Sequence, residues 1–148
     1  MVLIPVLEHA EDNPDFINNP LCQESIYMSI DFYKRVGYEL PWICYYAKEN
    51  GELVGCAGYK GKPVNGSIEI AYGTFEKFRQ QGVGKRICQT LVELAIQTDP
   101  SVRITARTLP ENNYSTKILK SNHFLFVGNV FDPEDGEVWE WEYPRERY

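Results

Sequence analysis

Between residues 67 and 108 the apolar pattern changes period twice, and few folds accommodate that. Ser67 to Phe75 reads as a strand, whereas Val83, Ile87, Leu91, Leu94 and Ala95 recur on one helical face until Thr98, Asp99 and Pro100 end the pattern. Val102 to Thr108 alternates again. A strand, a helix and a strand in this order predict a right-handed crossover, which lays the two strands parallel in one sheet.

The flanking segments predict antiparallel partners for that pair. Val2 to Leu7 reads as a strand, and residues 12 to 36 as one or two helices broken near Pro20 and capped by Gly37. A meander follows, with strands at Trp42 to Ala47, Leu53 to Tyr59 and Ser67 to Phe75. Its connections are the turn Glu49-Asn50-Gly51 and a loop through Gly61, Pro63 and Gly66. After the crossover, Asn112 to Asn122 predicts a short helix with Tyr114, Ile118 and Leu119 inward. Phe124 to Phe131 and Glu137 to Tyr143 form a hairpin over Asp135-Gly136. The expected class is α/β, with a mixed, mostly antiparallel sheet flanked by helices. At 148 residues, without repeats or linkers, one domain over 1–148 is expected.

The net charge of −6 conceals a division. Residues 77 to 120 carry +5, while residues 1 to 76 carry −6 and residues 121 to 148 carry −5. A basic middle third in an acidic chain points to a local anionic ligand and argues against a nucleic-acid partner, which would want a basic domain. The apolar start, Met1 to Leu7, is short, has no basic flank and runs into Glu8, Glu11 and Asp12, so neither a signal peptide nor a membrane span is expected. Cys22, Cys44, Cys56 and Cys88 have no C-x-x-C spacing, and His9 and His123 are remote from them in sequence. Free buried thiols, no metal and a cytoplasmic location are therefore expected.

Phe78-Arg79-Gln80-Gln81-Gly82-Val83-Gly84-Lys85-Arg86 joins strand to helix. Free amides at a helix start, with the helix dipole behind them, suit a phosphate or pyrophosphate. A Walker A loop would need Gly where Arg79 stands and Ser or Thr where Arg86 stands, and a dinucleotide fingerprint would need Gly at Ile87.

The pattern that Arg79, Gly82 and Gly84 do satisfy is R/Q-x-x-G-x-G/A, and here the chain resembles the GCN5-related N-acetyltransferase (GNAT) superfamily. Glu69-Ile70-Ala71-Tyr72 is similar to the E-I-G-Y of its ribosomal-protein N-terminal acetyltransferase branch. Asn112, Ser115 and Phe124 match a second family motif, with His123 in place of a glycine and Leu119 where many members carry a tyrosine that protonates the departing thiolate. The resemblance implies a central parallel strand pair splayed to admit acetyl-CoA. Backbone at Thr74 and Phe75 would then pair with pantetheine and polarise the acetyl carbonyl. Arg79, Gln80, Gln81, Gly82, Val83, Gly84 and Lys85 would hold the pyrophosphate, with Asn112 and Ser115 contributing from the second motif. Lys85, Arg86, Lys117 and Lys120 are candidates for the adenosine 3'-phosphate.

Acetyl transfer to an amine needs a deprotonated nucleophile and a protonated leaving thiolate. Glu69 faces away from Ile68 and Ile70, beside Ala71 and Gly73, where small residues leave room for an acceptor amine. It is the candidate base, against the alternative of a strand glutamate paired with a lysine. Ser115 is the candidate acid, against a helix N-cap; Tyr114 and Tyr72 are alternatives, and Glu134 could reach the acceptor mouth. Cys56 and Cys88 have no activating neighbour in sequence, so direct attack is expected over a covalent enzyme intermediate. The acceptor would be a small-molecule or peptide amine, with no membrane partner. A homodimer through Trp139, Trp141 and Tyr143 is considered, and a catalytically idle acyl-CoA sensor is the alternative function.

Overall fold

The structure is a computed structural model and describes residues 1–145. Its elements are β1 (Val2–Pro5), α1 (Pro14–Ile17), α2 (Gln23–Val36), β2 (Cys44–Glu49), β3 (Glu52–Tyr59), β4 (Ser67–Thr74), α3 (Val83–Thr98), β5 (Arg103–Thr108), α4 (Tyr114–Ser121), β6 (Leu125–Asp132) and β7 (Gly136–Glu142). Trp42 and Ile43, expected to open the second strand, instead precede it as buried residues. The seven strands form one sheet in the order β1-β2-β3-β4-β5-β7-β6.

Every neighbouring pair is antiparallel except β4 and β5. Those two pair in parallel from Ser67↔Arg103 to Ile70↔Ala106, and there the ladder stops although β4 runs on to Thr74 and β5 to Thr108. The crossover through α3 accounts for the parallel direction of this pair. Val83, Ile87, Cys88, Leu91, Val92 and Ala95 are buried, with Leu94 at the margin. The Tyr59 hydroxyl donates to the Leu91 carbonyl at 2.6 Å, locking the helix onto the sheet. Full burial of a side chain such as Ile87 or Leu91 contributes about 2 kcal/mol.

The opposite face is covered only in part. Ile26, Ile30 and Tyr33 of α2 are buried, and Tyr33 donates to the Val6 carbonyl at 2.8 Å. Ser25 shares a hydrogen bond with the Tyr46 hydroxyl at 2.6 Å. Beyond this cover, Ala71 and Gly73 of β4 are exposed, and a Cβ added at Gly73 would meet nothing within 4 Å. The space anticipated beside Glu69 is therefore open.

At the end of α4, the Phe124 N–H donates to the Leu119 carbonyl and the His123 N–H to the Lys120 carbonyl, both at 3.0 Å. This is a Schellman cap, and His123 holds its left-handed position with φ +70°. The glycine of the family motif is thus a helix terminator. A left-handed non-glycine residue costs about 1–2 kcal/mol, partly offset by the ~0.5–1 kcal/mol entropic penalty of glycine. His123→Gly is expected to stabilise the chain by about 0.5–1 kcal/mol, raising the denaturation midpoint with an unchanged m-value; a lower midpoint would assign the imidazole a packing role.

Candidate functional site

The site is built where β4 parts from β5. In the ladder with β3, Glu69 accepts from the Lys60 N–H at 2.9 Å and the Phe75 N–H donates to the Val54 carbonyl at 2.9 Å, so odd-numbered residues turn their backbone groups toward β3. By alternation, Tyr72 and Thr74 turn theirs into the gap beside β5. This corrects one expectation. Phe75 has its N–H on Val54 and its carbonyl on the Phe78 N–H, so its N–H is turned to β3 and is not free for a ligand in the gap. The backbone of Thr74 does face the gap, and so does that of Tyr72, considered in the sequence only for its hydroxyl.

The glycine turn lies just beyond. Gln80 (φ +63°) and Gly82 (φ +76°) are both left-handed, and Gly82 is the N-cap residue of α3 without a side-chain cap. Among the described residues, none accepts a hydrogen bond from the backbone N–H of Gln80, Gln81, Gly82, Val83, Gly84 or Lys85. Free amides around left-handed residues at a helix start make an anion-binding concavity. Arg79 and Lys85 are exposed beside it. This fits a pyrophosphate by the chemistry of its donors.

The two glycines have different tasks. A side chain at Gly82 would be strained by φ +76°, whereas one at Gly84 would place Cβ 2.5 Å from Ile118 Cδ1 and 3.3 Å from Thr74 Oγ1. Gly84 lets α3 approach α4 and β4, and is buried. Asn122, which sequence reading missed, secures the same junction by donating to the Lys85 carbonyl at 3.2 Å. Its only signal in sequence was a place beside the motif histidine.

The second motif is reassigned in part. Asn113, not Ser115, caps α4: its side chain accepts from the Thr116 N–H at 3.1 Å while Thr116 Oγ1 accepts from the Asn113 N–H at 2.9 Å. With that task taken one residue along, Asn112 and Ser115 are exposed at the start of α4. Tyr114, expected inward, is 46% exposed, while Leu119 is fully buried. Tyr72 points its side chain to the α3 face, where Cys88 is its neighbour. Burial, with the Cys88 neighbour, raises its pKa far above the ordinary value, and it is removed from the acceptor side.

The cations considered for the 3'-phosphate divide. Arg86 is engaged by Glu49 through two hydrogen bonds of 2.8 and 2.9 Å, and that contact holds Glu49 below the usual carboxylate range. Lys120 sits 6.0 Å over the Trp141 ring, and Lys85 and Lys117 are exposed. Lys85 also lines a cleft of about 360 Å³ between α3 and α4, together with Asn122 and His123.

Glu69 lies on the open face between two cations. Lys60 Nζ is 2.8 Å from Glu69 Oε2, and Arg107 Nε is 3.8 Å from Glu69 Oε1. The lysine pairing weighed as an alternative thus exists. Arg107, unremarked in the sequence, is the hub of the cluster: its Nη1 donates to Asp132 Oδ2 at 2.9 Å, and its Nε, 3.6 Å from Glu140 Oε1, is buried without a hydrogen bond. Burial opposes its charge, but the Asp132 hydrogen bond with Glu69 and Glu140 outweighs this and raises its pKa. Asp132 is held low by the Glu134 N–H, then by Arg107 and the Asp135 N–H. Glu134 itself pairs with Arg35 at 3.2 Å, tying the β6–β7 turn to α2.

A cavity of about 1000 Å³ lies on this side, between the α1–α2 connection and the segment after β4. Phe16, Leu21, Phe75 and Phe78 line it, with Asp12, Asp15, Glu52 and Glu76 among its polar groups. All four cysteines are free thiols, and burial pushes Cys56 up to about 11 and Cys88 up to about 12. Such thiols are protonated at neutral pH and poor nucleophiles. Among the described residues there is no cluster of His, Cys, Asp or Glu fit for a metal ion, and no helix is long and apolar enough to cross a membrane.

The chain is similar to known proteins. An uncharacterized N-acetyltransferase of Bacillus subtilis (strain 168), YjdG, is 33% identical over 97 residues, which take in 65% of this chain and 55% of that protein. The chain therefore spans about half the length of the curated relative it matches. Among solved structures, the apo form of the ribosomal L7/L12 alpha-N-protein acetyltransferase shares the fold with a TM-score of 0.68 at 18% identity, covering 95% of this chain and 90% of that one. The aminoglycoside acetyltransferase AAC(6')-Ib, solved with coenzyme A, shares it at 0.61 and 24% identity, covering 70% of this chain and 66% of that one. A ribosomal-protein-alanine N-acetyltransferase from Brucella melitensis shares it at 0.64 and 18% identity, over 96% and 98% of the two chains. The model of the acetyltransferase (GNAT) family matches residues 8–124, the span that holds the parted strands, the amide turn and the α4 motif, and the chain belongs to that family.

Proposed function

We propose that the chain transfers an acetyl group from acetyl-CoA to a primary amine by direct attack. The observation that carries this reading is the end of the β4–β5 ladder at Ile70↔Ala106, placed between a turn of free amides on one side and a carboxylate on the other. In this reading Gln80 to Lys85 hold the pyrophosphate, and Tyr72 and Thr74 backbone groups align pantetheine in the gap. Glu69 takes a proton from the acceptor ammonium. The raised thiol pKa values of Cys56 and Cys88 support one-step transfer over an enzyme thioester.

The acceptor is a cationic amine, peptide N-termini being favoured. Acids at the 1000 Å³ cavity and in the Arg107 cluster would attract it, and apolar Phe16, Leu21 and Phe75 would hold its body. The relatives named for ribosomal-protein acetylation share this fold, which supports a peptide or protein N-terminus. Free thiols favour a reducing, cytoplasmic setting.

The second reading, an idle acyl-CoA-binding domain, is favoured by buried Leu119 in place of the family tyrosine. One experiment separates the two: free-thiol release from acetyl-CoA with a panel of peptide N-termini, polyamines and aminoglycosides. Amine-dependent release is expected; tight CoA binding without turnover on any amine establishes the idle domain.

For a homodimer, the surface moves from the one read in sequence. Trp141 is buried, and Trp139 and Tyr143 pack against the core, whereas Leu125, Phe126, Val127 and Phe131 of β6 are exposed. β6 is a sheet edge with no charged residue from 125 to 131. Such an edge lacks charged protection against pairing, although the irregularity between Phe126 and Gly128 interrupts it. A second copy running antiparallel would set Phe126 against Phe131 and Val127 against Val130. A monomer by sedimentation velocity at micromolar concentration would refute it.

A further inference from the structure

Lys60 places a primary amine on the carboxylate that the proposed chemistry uses as its base. Its Nζ is 2.8 Å from Glu69 Oε2, with the lysine side chain 41% exposed and the glutamate 19%. Lys60 follows β3 directly, its N–H bonded to the Glu69 carbonyl, so its stem runs on the same face as Glu69, Ala71 and Gly73. The ladder between β4 and β5 ends at Ile70, one residue past Glu69. A lysine stem changes rotamer at little cost, and the neighbouring open surface leaves Nζ free to swing over Ala71 toward the gap. Without Lys60, Glu69 keeps a second cation beside it, because Arg107 is held in turn by Asp132 and Glu140.

We propose that Lys60 stands in the acceptor's place and is acetylated by its own chain. The inference rests on the acetyltransferase reading above. In the step, the Lys60 ammonium gives one proton to Glu69, and the amine nitrogen attacks the thioester carbonyl. The N–C bond forms and the C–S bond breaks. The second nitrogen proton goes to the departing thiolate, leaving an amide and free CoA, while Glu69 returns its proton to solvent. Acetylation removes the Lys60 charge and with it the ion pair to Glu69, so the modified chain offers that carboxylate to an external ammonium without an internal competitor.

The test is peptide mass spectrometry of the full chain after incubation with acetyl-CoA, run beside the external amine assay. Acetyl at Lys60 is expected in stoichiometric yield and at least tenfold faster than at the exposed Lys34 and Lys62. It should be lost in Glu69→Gln and in Gly82→Val. Uniform acetylation of all lysines, or equal labelling in Glu69→Gln, would overturn the proposal as ordinary chemical modification. An unmodified Lys60 in a chain that acetylates external amines overturns it while leaving the transferase reading intact. Labelled Lys60 with no external turnover sustains it and removes the external acceptor instead. As a second readout, Lys60→Gln is expected to lower KM for a cationic acceptor several-fold with CoA affinity unchanged; an unchanged KM would show that Lys60 does not compete for Glu69.

Discussion

Gly82→Val is expected to weaken CoA binding by about 100-fold or more while the chain still folds. At φ +76° a β-branched residue pays about 1–2 kcal/mol or leaves the left-handed region. Leaving it rotates the peptide planes on either side, and the amides from Gly82 to Gly84 no longer converge. Each charge-assisted hydrogen bond lost contributes about 1.5–3 kcal/mol. Two such losses account for the 100-fold, since ~1.4 kcal/mol is a factor of ten. The fold should survive, because an added Cβ meets only the flexible end of Arg86, whose Nη1 lies 2.9 Å away. Gly84→Ala is the contrasting control. Its Cβ would press on Ile118, so it should lower the unfolding midpoint more than it changes CoA affinity. Calorimetric titration with CoA and a denaturant curve on both variants check this; normal affinity in Gly82→Val would remove the pyrophosphate assignment.

Glu69→Gln should reduce turnover at neutral pH by about 100-fold or more, within the 10²–10⁴ span of general base catalysis, with CoA affinity unchanged. The sign of its pH dependence follows from the acceptor. An α-amino group titrates near 8 and a lysine-like amine near 10.4, so at pH 7 most acceptor is protonated. Without a base, only the neutral fraction reacts, and the variant's rate should rise about tenfold per pH unit until the acceptor's own pKa is passed. The parent chain should show a flatter profile. Stability should change little, because Lys60 and Glu69 form a partly exposed pair of the kind worth at most ~1 kcal/mol, and Arg107 keeps Asp132 and Glu140. Parallel pH profiles for variant and parent would assign Glu69 to the ion-pair cluster alone.

The particular residues show where reading the sequence succeeded and where it stopped. The turn from Arg79 to Lys85 was legible because glycine spacing and the start of a helical period are local properties. So was the outward face of Glu69, since strand alternation needs no partner. Phe75 was misread because whether its amide faces β3 or the gap depends on register, which no single strand encodes. Arg86 looked like a free phosphate ligand until Glu49, 37 residues away, was found holding it. Ser115 had two readings, and the Asn113–Thr116 capping pair removed one of them.

Element order, the parallel crossover and the anion-binding turn follow from chain-local physics: hydrophobic period, chirality of the crossover, and the conformational range of glycine. Long-range contact supplied the rest. The ladder's end at Ile70↔Ala106 is a matter of strand register between segments some 36 residues apart. The meeting of Lys60, Glu69, Arg107, Asp132 and Glu140 depends on β7 entering the sheet between β5 and β6. Charges that a linear count divided between a basic middle and acidic flanks are interleaved there, because strand pairing sets neighbours by register and not by distance along the chain.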